Sequence, residues 1–127
     1  MTGTEHAERE AIWESYVAAW KADGPGAKRE LLGRCVAPTS VYTDPLCTTT
    51  GVDELVAYMV DFHRQVPGGH FVTTHFLAHH SRSIARWNMV NGQGEVIGEG
   101  ISYGEYDGSG RLTAMTGFFE TPASAAA

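Results

Sequence analysis

The chain has 127 residues, 43% of them hydrophobic and 19% charged, the proportions of one globular domain with a core of its own. A formal net charge of −6, with Lys and Arg scattered rather than striped, argues against nucleic acid or an anionic membrane surface as partner. No apolar run approaches the ~20 residues that span a bilayer, and no basic start with an apolar core marks a leader, so a cytoplasmic protein is expected.

A single domain is expected over residues 5–121, with flexible termini at 1–4 and 122–127. From Glu5 to Ala22 the sequence reads as an amphipathic helix, with Ile12, Tyr16 and Trp20 on one stripe beside Trp13 and Val17. Asp23-Gly24-Pro25-Gly26 ends it. A second helix over 27–36 buries Leu31, Leu32 and Cys35, and its Lys28-Arg29 pair is assigned to a solvated face. Pro38 closes that helix, and Ser40 to Asp44 reads as a short strand stopped by Pro45. Thr50-Gly51-Val52-Asp53 has the form of a capping box opening a third helix that runs to Gln65 and stops at Pro67-Gly68-Gly69. Antiparallel strands follow near 70–80, 82–91, 95–106 and 111–120, turning at His80-Ser81, Asn91–Gly94 and Asp107–Gly110. Helices first and long strands after is an α+β order. A curved sheet wrapped around three helices would leave a cone-shaped cavity suited to a small ligand.

Two residues carry the chemistry. Asp44 places a carboxylate at the end of an apolar strand, and Tyr16 places a phenol on the apolar side of the first helix. A base facing one wall of a dry pocket and a hydroxyl donor facing another are what enolisation requires. The competing readings are local: an aspartate that hydrogen-bonds its own turn, and a core tyrosine whose hydroxyl finds a backbone carbonyl. Five histidines, His63, His70, His75, His79 and His80, cluster without metal-ligand spacing, and Cys35 and Cys47 form no CxxC, so no metal and no cofactor are expected. In an unbroken strand His75 and His79 share a face with Phe71, Thr73 and Leu77, while His70 and His80 take the other. His75, mid-strand, is the histidine placed in the pocket as a partner for Asp44. Tyr58, Met59, Trp87, Met115 and Phe119 are expected as pocket walls or plain core.

Four segments, Tyr16-Val17-Ala18-Ala19, Tyr42-Thr43-Asp44-Pro45, Gly51 with its following helix, and Asp107 to Leu112 with Met115 and Gly117-Phe118-Phe119, resemble the nuclear transport factor 2-like superfamily. Within it the chain is most similar to ketosteroid isomerase-like and SnoaL-like polyketide cyclase proteins, over about residues 8–120. The resemblance implies a cystatin-like, mixed curved sheet and a homodimer through the open sheet face. It also implies cofactor-free proton transfer on a small, largely apolar carbonyl compound, with Asp44 as base and Tyr16 as oxyanion donor. The isomerase's second, protonated acidic donor falls on Ser102 here, a neutral and weaker donor. Because this scaffold hosts many chemistries, two rivals stand beside an isomerase or cyclase. One is another activity on the same fold, such as a dehydratase or hydrolase. The other is a non-catalytic role, as a metabolite-binding pocket or a dimerisation domain.

Overall fold

The computed structural model describes residues 2–122. Its elements are α1 (Gly3–Lys21), α2 (Gly24–Cys35), β1 (Val36–Asp44), β2 (Cys47–Thr50), α3 (Val52–Gln65), β3 (His70–His79), β4 (Arg82–Val90), β5 (Val96–Tyr106) and β6 (Leu112–Phe118). The strands form one sheet in the order β2-β1-β6-β5-β4-β3. β1 runs parallel to β6 and every other neighbour is antiparallel, so the α+β, mixed-sheet expectation holds. Met1 and 123–127, part of the expected flexible termini, lie outside the described residues.

α1 starts earlier than expected because Thr2 caps it, its Oγ1 accepting from Glu5 N at 3.1 Å. Its inward face carries Trp13, Tyr16, Ala19 and Trp20, all buried. α2 begins at Gly24 rather than 27: Pro25 sits in its first turn, where a missing N–H costs nothing, so the proline starts this helix instead of separating two. Lys28 is not solvated. It is fully buried, and its Nζ donates to the carbonyls of Ala19 at 3.0 Å and Trp20 at 3.1 Å, two acceptors left open by the end of α1. Burial pushes its pKa down to about 8, partly opposed by the Asp23 charge.

β1 begins at Val36 and passes through Pro38, where the β1–β6 register breaks between Val36 and Val41 and no ladder donor is needed. β2 was not anticipated. It pairs back onto β1, Tyr42 opposite Thr49 and Asp44 opposite Cys47, across the turn at Pro45-Leu46. The capping box at α3 does not form as read. Gly51, at φ 83°, is the cap residue and offers no side chain, while Glu54 reaches back to accept from Thr50 N at 3.1 Å.

In β3 a bulge between Thr73 and His75 interrupts the alternation. Phe71 and Thr73, opposite Met89 and Trp87, lie on the inner face before it; Phe76 and Ala78, opposite Ala85 and Ser83, lie on that face after it. The face expected to join His75 and His79 to Phe71 and Thr73 therefore does not exist.

Candidate active site

Asp44 ends β1 at 8% exposure, and its carboxylate accepts four hydrogen bonds. Oδ1 takes the backbone N–H groups of Leu46 at 2.8 Å and Cys47 at 3.1 Å, the expected turn role. Oδ2 takes two phenols, Tyr42 Oη at 2.6 Å and Tyr58 Oη at 2.7 Å. The turn reading of Asp44 holds at Oδ1, whereas the carboxylate expected to face the pocket does not: Oδ2 is taken up by the two phenols, and Asp44 is absent from the wall of the neighbouring cavity. Tyr42 stands two residues before Asp44, which in a strand puts both on one face. Tyr58 arrives from α3. Burial, with the adjoining carboxylate adding to it, drives both phenol pKa values well above the ordinary 10.0. Each hydroxyl is therefore a committed donor.

Beside this cluster lies a cavity of about 30 Å³, lined by Tyr16, Trp20, Tyr42, Phe71, Trp87, Ser102 and Gly117. That is room for one or two waters. Gly117 stands where these groups meet: a Cβ there would be in ordinary contact, 3.7 Å, with each of Asp44 Cβ, Tyr42 Oη and Ser102 Oγ. Tyr16 is on the cavity wall, 4% exposed. Burial raises its pKa, the Trp20 indole opposes that, and the Cys35 and Asp44 charges add to it. Ser102 Oγ accepts from Trp87 Nε1 at 3.0 Å. An indole N–H can only donate, so the serine's own proton points elsewhere.

The wide cone expected between helices and sheet is filled. Trp20 meets Tyr42, Tyr58, Phe62 and Phe71 at ring-centroid distances of 5.3–6.0 Å, and Phe71 stands edge-on to Trp87 at 5.0 Å. Such aromatic contacts are worth roughly 0.5–1.5 kcal/mol each beyond area burial. Among the described residues, what is left beside Tyr42 is the small void.

Of the residues singled out from sequence, the fold brings together Asp44, Tyr16, Tyr58, Ser102 and Trp87. Met59 and Met115 are fully buried core residues away from the void. Phe119 follows β6 and packs on Trp87 at 6.3 Å, on the side away from the void. His75 projects from the outer sheet face opposite Arg86, because the bulge reverses the strand there. His63 and His70 bond the carbonyls of Gly69 and Gly68, and His79 and His80 contact each other, so these rings serve turns. Among the described residues no group of three or more His, Cys, Asp or Glu could hold a metal. Tyr42 is the residue sequence reasoning missed as a functional one.

With this geometry in hand, the SnoaL-like domain family matches residues 13–120. No curated protein matches the chain. Among solved structures it is similar to a proposed isomerase of the SnoaL-like family from Agrobacterium tumefaciens (24% identity, TM-score 0.83, covering 93% of this chain and 99% of that one). It is also similar to a proposed SnoaL-like polyketide cyclase from Jannaschia (11%, TM-score 0.78, covering 100% and 95%). A protein of ketosteroid isomerase-like fold from Catenulispora acidiphila, in complex with trimethylamine, matches at 14% identity and TM-score 0.72, covering 91% of this chain and 89% of that one. At these identities the structural likeness speaks for the fold alone.

Proposed function

The chain belongs to the SnoaL-like domain family, and from that premise we propose that it moves a proton on a small carbonyl compound, as an isomerase or cyclase does. One observation supports the reading: three hydroxyl groups, Tyr16, Tyr42 and Ser102, line one small, largely aromatic void, and the Tyr42 hydroxyl is hydrogen-bonded to the Asp44 carboxylate behind it. The carbonyl edge of the substrate occupies the void. Tyr16 and Ser102 donate to its oxygen as negative charge develops there.

Asp44 does not line the void; Tyr42, hydrogen-bonded to it, does. All four acceptor positions of the carboxylate are taken, so the proton reaches it through Tyr42. As the substrate C–H bond breaks, its proton passes to the Tyr42 oxygen and the Tyr42 hydroxyl proton passes to Asp44 Oδ2. The products are an enolate, a neutral tyrosine and a neutral carboxylic acid. Because burial so strongly disfavours a Tyr42 phenolate, the two transfers belong to one step.

The phenol 2-naphthol, whose ionised form imitates an enolate, tests this reading by binding. Asp44→Asn mimics the protonated acid that stands behind Tyr42 once the enolate has formed, so it should tighten 2-naphthol at least several-fold, while Tyr16→Phe weakens it. Equal affinity in wild type and both variants would refute the assignment. We further propose that a second copy covers the cross-strand row Leu77 and Ile84 on the outer face, where the side chains are 57% and 49% exposed.

A further inference from the structure

Trp87 borders two spaces. On its inner side is the 30 Å³ void at Ser102 and Tyr16. On its outer side is a groove of about 920 Å³ that runs along β4, β5 and the segment Phe118–Glu120. The groove exists because β6 pairs only with Ile101–Tyr106, which leaves the first half of β5 without a neighbour on that side. Its walls are mixed: Met89, Ile97, Ile101 and Phe118 are apolar, while Arg86, Glu99 and Glu120 bring charge of both signs.

The indole between these spaces is buried, at 8% exposure. Its six-membered ring lies against Gly100, where any Cβ would overlap it. Phe71 and Phe119 flank it. One hydrogen bond, Nε1–H to Ser102 Oγ, fixes its angle. We infer that Trp87 is a movable partition and a specificity-determining residue: its swing joins groove to void, admitting a ligand whose carbonyl end enters while its body stays in the groove.

This rests on the proposed function, since the void must be where the carbonyl reacts. It goes further by naming the substrate class, an elongated carbonyl compound too large for the void alone, whose body meets both apolar and charged walls. When the indole leaves, the Ser102 lone pair it occupied is released. The partition therefore also sets the orientation of the hydroxyl proposed to meet the substrate oxygen.

The test follows 2-naphthol binding by stopped flow in wild type and Trp87→Phe, and by NMR at the Trp87 indole N–H in wild type. Trp87→Phe keeps a ring but removes the tether, so association should accelerate about tenfold, with a smaller change in Kd. In wild type, saturating 2-naphthol should shift the Trp87 N–H signal and speed its exchange with solvent. Unchanged association together with an unmoved indole signal would overturn the partition. If Trp87→Phe does not fold, the wild-type signal decides alone. Failure of the underlying reading is separate: 2-naphthol would then bind with no response to Asp44→Asn or Tyr16→Phe. Absence of binding to every form overturns both.

Discussion

Asp44 divides its hydrogen bonds between two settings, Oδ1 closing a hairpin turn and Oδ2 held by two phenols, and the proposed chemistry uses the second. In the proposed relay Tyr42 is as necessary as the acid. Tyr42→Phe should lower turnover of a carbonyl substrate by about 10²–10⁴, the range of a positioned acid–base group. Direct abstraction by Asp44 would instead leave Tyr42→Phe as fast or faster, because a donor would have left Oδ2. Lys28 gives a second prediction. Its pKa is about 8 in the fold and 10.5 ordinarily, so over that window the unfolded chain binds the proton that the fold has shed, and stability rises with pH. Cys35, pushed by burial from 9.0 up to about 12, acts with the opposite sign above pH 9, and the raised tyrosines Tyr16, Tyr42 and Tyr58 join it above pH 10. Urea unfolding should therefore show stability climbing between about pH 8 and 9, and Lys28→Met should flatten that climb. Asp44 and Tyr16 were legible because an acid or phenol in an apolar stretch stands out. Tyr42 was available from strand periodicity but read as part of the motif. Lys28 was not available, since nothing local says that a lysine will cap a different helix.

Elements were legible where periodicity was clean and misread where one residue broke it. Helices α1 and α3 and strands β4 and β5 fall close to their expected spans. The start of α2 was misplaced because Pro25 reads equally as a breaker or as a first-turn residue. β2 was missed because four residues, Cys47–Thr50, after a Pro-Leu turn carry none of the Asn-Gly type signals that announce a hairpin. The bulge in β3 matters most for function, since it carries His75 out of the interior and Phe76 into it. Its consequence is measurable. Phe76→Ala, at a side chain 7% exposed, should cost about 3–5 kcal/mol in denaturant unfolding, while Leu77→Ala, 57% exposed, should stay within about 0.5 kcal/mol in the isolated subunit. The reverse order would mean that the strand keeps an unbroken alternation.

For the whole molecule, the order of helices and strands was enough to give the α+β class, and the quoted segments were enough to give the family. The sequence did not reveal that aromatic side chains would fill the cone to about 30 Å³, because packing across five elements is not encoded in any one of them. The outer face carries Leu77, Ile84, Ile101 and Phe118 as large exposed apolar side chains. A second copy covering the Leu77–Ile84 row predicts a dimer by sedimentation velocity at micromolar concentration, reduced to monomer by Ile84→Asp. A monomeric wild type would contradict it. The claim on which the account turns is that Asp44 is the final acceptor of a proton drawn from carbon. Its most direct measurement is deuterium uptake beside the carbonyl of 2-tetralone in D2O, followed by NMR with wild type and Asp44→Asn. The account predicts uptake well above buffer with wild type and a fall of about 10²–10⁴ in the variant; equal uptake with both proteins would contradict it.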